Sequence, residues 1–140
     1  MKAVYLESSA LLAWLFDEPA ATPMIRSVEQ ADVVVTSALT FVEAERAIAR
    51  IVAERRLKEA PSRRIRGLLA RVRSTWVVMS VTDSVLTRAG QAFPVEPVRT
   101  LDAIHLASAL AFCEALPDLE IVTLDRRIAA NAGALGLASG

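Results

Sequence analysis

The sequence has little that would tie the chain to an oxidising compartment or to a membrane. It contains one cysteine, Cys113, so no internal disulfide can form. No apolar run approaches the roughly 18 residues that a membrane span requires. Met1 and Lys2 lead directly into a short apolar run, without the charged and apolar regions of a secretory signal. We therefore expect a cytoplasmic protein with no membrane association.

Other absences narrow the class of protein. There is no internal repeat and no low-complexity segment, and hydrophobic residues make up 54% of the chain, which excludes a disordered protein. An Asp-x-Asp pattern at a strand end, typical of phosphoryl-transfer enzymes with an aspartate nucleophile, is missing. The 140 residues are enough for one sizeable core, so we expect residues 1–140 to form a single domain.

What the sequence does contain is an alternation of short apolar runs and helical patterns. Residues 3–6 are apolar or aromatic without alternation, as in a strand that is covered on both faces. Comparable runs follow at 33–36, 76–79 and 121–123, with a stunted last strand at 135–138, and helical patterns separate them. This order predicts an α/β fold, a three-layer α/β/α sandwich around a central parallel sheet of four to five strands.

An acidic residue stands near the start of four predicted helices: Glu7, Glu43, Asp102 and Asp125. In a doubly wound sheet these junctions open on one edge, so we expect the four carboxylates to meet there. Carboxylates in one cleft repel each other unless a cation intervenes, and Mg²⁺ prefers oxygen ligands. The four acids are therefore candidates both for catalysis and for binding Mg²⁺ or Mn²⁺.

Each acid also has a local explanation that needs no metal ion. Thr40 and Glu43 fit a capping box, in which a helix-start threonine and a glutamate three residues later satisfy each other's backbone amides. Asp102, just after a predicted cap at Thr100, would favour the positive end of a helix dipole, and Asp125 would serve as an N-cap. At the first junction, Ser8 or Ser9 is the expected cap.

The single histidine, His105, lies three residues after Asp102 on the same predicted helix. It invites the role of general base. We favour a packed, hydrogen-bonded histidine near the cleft, because a metal-bound water needs no imidazole to ionise. Tyr5, inside the first strand, is expected to be structural.

Four segments carry a resemblance to a known family, and they occur in order over nearly the whole chain: residues 7–11, 36–43, 100–109 and 122–127. Together they resemble the signature motifs of PIN-domain ribonucleases, specifically the VapC-type toxins of bacterial toxin–antitoxin pairs. The third segment is the most specific, whereas the second is weak when taken alone.

The resemblance implies an activity, partners and a set of site residues. The activity is cleavage of RNA that depends on Mg²⁺ or Mn²⁺, and the partners are a second copy of the chain and a cognate antitoxin that enters the acidic cleft. The acidic set carries over to Glu7, Glu43, Asp102 and Asp125, with Ser9 and Thr123 as supporting hydroxyls.

One position departs from the family pattern, since the first segment has Glu7 where aspartate is common. The extra methylene moves the carboxylate outward by about one ångström. Because Mg²⁺ demands near-ideal octahedral geometry, this change is expected to weaken binding, favour Mn²⁺ or reduce activity. The alternative function is therefore a catalytically weak PIN-fold module that binds RNA or an antitoxin.

The net charge of zero conceals a strongly basic segment at residues 46–73, where ten Lys and Arg residues face two Glu residues. Contact with RNA phosphates or with an acidic partner would explain it, as would a simple solvated face. No series of aromatic residues accompanies it, so base stacking is not predicted. The candidate RNA-binding residues in this segment are Arg46, Arg50, Arg63 and Arg64.

Overall fold

The computed structural model describes residues 1–139, with side chains for residues 1–137. Strands and helices alternate along this part of the chain. The strands are β1 (Ala3–Leu6), β2 (Val33–Ser37), β3 (Val77–Met79), β4 (Glu120–Val122) and β5 (Ala138–Ser139). The helices are α1 (Ser8–Leu15), α2 (Thr22–Gln30), α3 (Ala38–Ala53), α4 (Glu59–Thr75), α5 (Asp83–Ala89), α6 (Thr100–Cys113) and α7 (Arg126–Ala134), with a short 3-10 helix at Pro19–Ala21.

The strands form one parallel sheet with the order β3-β2-β1-β4-β5. From β1 the chain moves outward to β2 and β3, then returns past β1 to β4 and β5. Strand order therefore reverses between β1 and β4, the position where open α/β sheets bind ligands, and we call the space beyond the carboxyl ends of these two strands the crevice. Both the parallel sheet and its strand number confirm the predicted fold class.

Strand β1 lies at the centre, and all four of its residues are buried. Because side chains alternate across a strand, Val4 and Leu6 face one hydrophobic core whereas Ala3 and Tyr5 face another. Helices α1 to α4 supply the first core, and α6 and α7 supply most of the second. Two helical layers thus enclose the sheet, which explains why the sequence of β1 shows no polar alternation. No helix in the described residues is long and apolar enough to cross a membrane.

Several helix ends differ from their predicted positions. Helix α3 ends at Ala53 rather than near Leu57, and Arg55 just beyond it adopts a left-handed backbone with φ of 59°. Helix α4 begins before Pro61, which stands in its first turn, where a missing backbone N–H costs little. Helix α6 begins at Thr100 with Arg99 in the N-cap position, so the predicted threonine cap is wrong.

Capping follows the local pattern at α5, where Thr82 Oγ1 accepts from the amide of Val85, and at α7, but not at α1, α3 and α6. The reason is the same at α1, α3 and α6: the chain leaves the strand or loop at a position set by sheet pairing and core packing. At α1 and α3 the side chains of Glu7 and Ser37 then supply the cap, whereas Arg99 makes no side-chain capping hydrogen bond at α6. Local capping patterns are therefore weaker here than tertiary packing.

Candidate active site

Glu7 is the first residue after β1 and itself caps α1. Its Oε2 atom accepts hydrogen bonds from the backbone amide of Ser9 at 3.0 Å, from Ser9 Oγ at 2.5 Å and from Thr123 Oγ1 at 2.8 Å. Its Oε1 atom accepts one from Ser8 Oγ at 3.0 Å. The expected serine cap is therefore wrong, because both serine hydroxyls donate to the stronger carboxylate acceptor. Glu7 is only 3% exposed.

Thr123 and Asp125 bring the end of β4 to the same crevice. Thr123 Oγ1 accepts a hydrogen bond from the backbone amide of Asp125 at 3.0 Å while it donates to Glu7. Asp125 Oδ1 accepts from the amides of Arg127 and Ile128 at 2.9 and 3.0 Å, which makes Asp125 the N-cap of α7 as expected. A capping role and a place in the crevice are therefore compatible for this acid.

Asp102 lies in the first turn of α6, and its side chain is 15% exposed. Its Oδ2 atom is buried and has no hydrogen-bond partner among the described residues. Arg99 Nε is 3.5 Å away, too far for a good hydrogen bond. A buried carboxylate oxygen without a partner is costly, so this atom calls for a cation or a donor from outside the chain.

The other acids of the crevice act on Asp102 through their charges. Burial raises the pKa of Asp102 above its ordinary value, and the negative charge of Asp125 raises it further. The nearby guanidinium of Arg99 lowers the pKa, and the charge of Glu7 opposes that effect. Asp102 is therefore close enough to Asp125 and Glu7, which come from two other segments, for their charges to raise its pKa.

Glu43 faces the same edge from α3, but it is not part of a capping box. Helix α3 is capped by Ser37, whose Oγ accepts from the amide of Leu39 at 3.1 Å, so Thr40 already lies inside the helix. Glu43 and Asp102 instead line one surface depression of about 380 Å³. Arg99, Thr100 and Leu101 complete its lining.

The Glu43 carboxylate contacts the single histidine. Glu43 Oε1 lies 2.5 Å from Nε2 of His105, and His105 Nδ1 lies 2.8 Å from the hydroxyl of Tyr5. His105 and Tyr5 are both fully buried. The expectation of a packed, hydrogen-bonded histidine near the cleft is confirmed. Burial and the charge of Glu7 raise the pKa of Tyr5 far above its usual range, so its hydroxyl keeps its proton.

The four acids do not form a ready-made metal cage. Within residues 1–139, no group of three or more His, Cys, Asp or Glu side chains is arranged to hold a metal ion as it stands. The hydrogen bonds explain this, because Glu7 is engaged by hydroxyls and an amide, and Glu43 by His105. The donor types nevertheless fit a hard divalent cation, and the unpartnered Oδ2 of Asp102 is suited to bind one.

The predicted RNA-binding arginines lie on α3 and α4, and Arg46 follows Glu43 by about one turn of α3. Arg46, Arg50, Arg63 and Arg64 are all exposed. Arg63 Nη1 pairs with Glu59 Oε1 at 3.1 Å, one helical turn earlier. This basic hairpin, residues 46–73, presents positive charge to solvent, and its contact with RNA stays a prediction.

Two residues of the site were missed from the sequence. No sequence pattern singles out Arg99, although it lies beside Asp102 and in the same depression. Tyr5 was assigned a purely structural role. The signal for Tyr5 was present, since a phenolic hydroxyl in an otherwise apolar buried strand must find a partner.

Comparison with known proteins decides the family. Residues 4–134 match the PIN domain family. The chain belongs to the PIN-domain family. This confirms the family predicted from the four sequence segments.

Two curated relatives of this PIN domain come from Mycobacterium tuberculosis. Ribonuclease VapC35 is 35% identical over 137 residues, which cover 96% of this chain and 93% of that protein. Ribonuclease VapC46 is 35% identical over 138 residues, which cover 99% of this chain and 96% of that protein. Both similarities extend over the segments that carry all four acids.

Solved structures agree in fold at lower identity. The toxin–antitoxin complex from Klebsiella pneumoniae contains a chain with a TM-score of 0.62 at 18% identity, covering 96% of this PIN domain and 95% of that chain. VapC20 of M. tuberculosis, described as a sarcin-ricin loop cleaving toxin, has a TM-score of 0.63 at 15% identity, covering 91% and 93%. These likenesses confirm the α/β/α sandwich.

Proposed function

We propose that this PIN domain is a metal-dependent endoribonuclease of the VapC type, the toxin of a type II toxin–antitoxin system. Membership of the family and two relatives named as ribonucleases support the reaction class. The observation that carries the proposal is the buried, unpartnered Oδ2 of Asp102, which lies under the negative charges of Asp125 and Glu7. Residues 1–140 act as one catalytic domain in this proposal.

The proposed ligands and catalytic acids are Glu7, Glu43, Asp102 and Asp125, and the cation is Mg²⁺ or Mn²⁺. When bound, such a cation orients and acidifies water and stabilises charge on a phosphodiester. Asp102 offers its free Oδ2, whereas Glu7 is held in place by Ser9 and Thr123. In this proposal the four acids would bind and orient the cation. The hydroxyls of Ser9 and Thr123 support them by holding the Glu7 carboxylate in place.

The basic hairpin is the proposed site for the RNA backbone. Arg46, Arg50, Arg63 and Arg64 are exposed and supply charge without aromatic neighbours for stacking. Contacts of this kind neutralise phosphates irrespective of sequence, so they would contribute affinity rather than choice of the cleavage site.

A cognate antitoxin is the proposed protein partner, and a homodimer is the proposed assembly. The similarity to a chain of the Klebsiella toxin–antitoxin complex and to two VapC proteins supports the antitoxin. The residues outside 46–73 sum to a net charge near −8, and this acidic balance suits a partner with basic groups. Since RNA and a co-synthesised antitoxin would be met in the cytoplasm, we propose that location.

A second candidate function is a PIN-fold module that binds RNA or antitoxin but cuts poorly. One observation favours it: the Glu7 carboxylate, one methylene longer than the usual aspartate, is already engaged by Ser8, Ser9 and Thr123. If those hydrogen bonds outcompete a metal ion, the acids remain but the activity is lost.

Purified protein and a structured RNA, with Mg²⁺ and Mn²⁺ added separately, distinguish the two functions. Metal-dependent cuts that disappear in Asp102→Asn support the nuclease. Asp83→Asn is the matched control, because Asp83 occupies the first turn of α5 as Asp102 does in α6, yet lies outside the crevice. RNA retention without cuts, in wild type and both variants, would establish the binding module instead.

A further inference from the structure

His105 is connected through both ring nitrogens, although it is completely buried. Its Nε2 atom lies 2.5 Å from Glu43 Oε1, and its Nδ1 atom lies 2.8 Å from the Tyr5 hydroxyl. The two rings meet edge to face, with centroids 6.0 Å apart and an interplanar angle of 76°. The chain of contacts joins β1, α6 and α3, and so ties the central strand to both helical layers.

The chemistry of the three groups sets the direction of the hydrogen bonds. An ionised carboxylate only accepts, so the proton between Glu43 and His105 belongs to Nε2. A neutral imidazole with a proton on Nε2 has an acceptor at Nδ1. The Tyr5 hydroxyl then donates to Nδ1. Glu43 Oε1, both ring nitrogens of His105 and the Tyr5 hydroxyl are paired in this arrangement, as buried polar atoms require.

We propose that Tyr5 and His105 are positioning residues for Glu43, and that the ordered chain from Tyr5 through His105 fixes the Glu43 carboxylate for metal binding. Glu43 lies on α3, its side chain is 23% exposed, and it lines an open depression. Without a hydrogen-bond donor, the Glu43 side chain would therefore be free to change rotamer. The Nε2–H group of His105 donates to Glu43 Oε1, so Glu43 Oε2 remains available to bind a metal ion. This inference rests on the proposed function, in which Glu43 is a metal ligand.

The chain contains one histidine, so every imidazole signal in an NMR spectrum comes from His105. In metal-free protein, ¹⁵N NMR should show one protonated nitrogen, assigned to Nε2, and one unprotonated nitrogen that accepts a hydrogen bond. Tyr5→Phe should shift the unprotonated nitrogen, and Glu43→Gln should shift the protonated one. A proton on Nδ1, or spectra that neither variant changes, would overturn the ordered chain.

Mn²⁺ affinity, measured by calorimetry, tests the consequence for Glu43. Replacement of groups that orient metal ligands commonly weakens binding by about 10–100-fold, and we expect a loss of this size in His105→Leu. His105→Gln keeps an N–H donor near the position of Nε2, so it should recover much of the affinity. Tyr5 contacts Glu43 only through His105, so Tyr5→Phe should have a smaller effect and raise the dissociation constant for Mn²⁺ by about tenfold or less.

Ser62→Ala is the control for loss of a buried hydroxyl, because Ser62 Oγ bonds only the backbone of its own helix, α4, at 2.8 Å. It should leave Mn²⁺ affinity and the imidazole spectrum unchanged. Equal Mn²⁺ affinity in wild type, His105→Leu and His105→Gln, with all three folded by circular dichroism, would overturn the positioning role. Should His105→Leu fail to fold, Tyr5→Phe decides, and an unchanged dissociation constant for Mn²⁺ together with an unchanged imidazole spectrum in that variant would overturn the positioning role.

The proposed function and this inference fail in different ways. A wild-type protein that neither cuts RNA nor binds Mn²⁺ contradicts the nuclease and with it the role of Glu43 as a ligand. A wild-type protein whose cuts depend on Asp102 but not on His105 or Tyr5 keeps the nuclease and overturns only the positioning role.

Discussion

Thr123 donates a 2.8 Å hydrogen bond to the carboxylate of Glu7, although the two residues are 116 positions apart in the chain. The bond crosses the crevice between β1 and β4, where strand order reverses. It therefore ties together the two halves of the sheet at the proposed catalytic edge.

Replacement of Thr123 tests this tie. Thr123→Val keeps the shape of the side chain but removes the hydroxyl, so Glu7 loses a donor and the amide of Asp125 loses an acceptor. We expect the free energy of unfolding to fall by about 1–3 kcal/mol and RNA cleavage to fall with it. Urea unfolding and a cleavage assay measure the two effects.

Thr75→Val serves as the control for that experiment, since Thr75 Oγ1 bonds the backbone of α4 on the exposed surface. It should change stability by less than about 0.5 kcal/mol and leave cleavage intact. A Thr123→Val protein with wild-type cleavage would show that Glu7 needs no support from β4.

Asp102 should make stability depend on pH. Its pKa is raised in the folded protein, so the native state binds a proton more tightly than the unfolded state does. Stability must then fall as pH rises from about 3.9, the ordinary pKa of aspartic acid, through the raised value. In metal-free buffer at pH 7, Asp102→Asn should be more stable than wild type, and the difference should vanish at low pH.

Asp83→Asn, whose stability is measured over the same pH range, is the control for Asp102→Asn. Asp83 also stands in the first turn of a helix, where its charge favours the helix dipole. Its neutralisation should cost about 0.3–1 kcal/mol at pH 7. If Asp102→Asn is destabilised to the same degree, Asp102 serves only the start of α6 and the acids do not repel one another.

A divalent cation should stabilise the folded protein through Asp102. At a Mn²⁺ concentration of about 100 times the dissociation constant, linkage predicts a gain of about 2.7 kcal/mol in the free energy of unfolding. Thermal unfolding with and without Mn²⁺ should show this gain in wild type and Asp83→Asn, but not in Asp102→Asn. A similar gain in all three proteins would locate the cation elsewhere.

The basic hairpin predicts a salt-dependent affinity for RNA. Each phosphate contact with single-stranded RNA contributes about 0.7 to the slope of log affinity against log salt concentration. Arg50→Gln should lower the slope by about that amount, and replacement of Arg46, Arg50, Arg63 and Arg64 together should lower it by about 2.8. Filter binding in EDTA measures affinity without cleavage.

Arg26→Gln is the matched control for the hairpin, because Arg26 is an exposed arginine on α2, outside residues 46–73. Its slope should equal that of wild type. Equal slopes in Arg26→Gln and the fourfold variant would mean that RNA does not contact the hairpin.

Asn131 holds the loop that leads into α6. Its Oδ1 accepts from the amide of Val95 and its Nδ2 donates to the carbonyl of Val95, both at 2.9 Å. Asn131→Ala leaves these backbone groups without partners and should lower the free energy of unfolding by about 1–3 kcal/mol. Ser74→Ala, which removes an exposed side-chain hydrogen bond to Arg71, should stay within about 0.5 kcal/mol. Equal losses in the two variants would argue against a role for Asn131 in holding the loop.

The fold and the position of Glu7 at the carboxyl edge of the sheet could be predicted from the sequence. A fully apolar β1 requires cover on both faces, and an acid directly after it must lie at the carboxyl end of the sheet. These conclusions depend on the hydrophobic pattern of each segment and on the order of strands and helices, both of which can be seen directly in the sequence. They do not depend on which hydrogen bonds the individual side chains form.

The partners of each carboxylate could not be predicted in the same way. Glu43 fitted a local capping box, yet its carboxylate contacts His105, 62 residues further along the chain. Helix α3 starts earlier than the pattern implied, because Ser37 at the end of β2 already provides a cap. Hydrogen bonds that join distant segments depend on tertiary packing, and short sequence patterns carry little information about them.

The reversal of strand order also bears on how the molecule is made. Glu7 is synthesised early and Asp125 late, and β4 cannot pair with β1 until nearly the whole polypeptide has left the ribosome. An unfinished chain therefore lacks one of the four acids and the strand beside which it stands. The acidic edge of the sheet can therefore be completed only when synthesis is almost over.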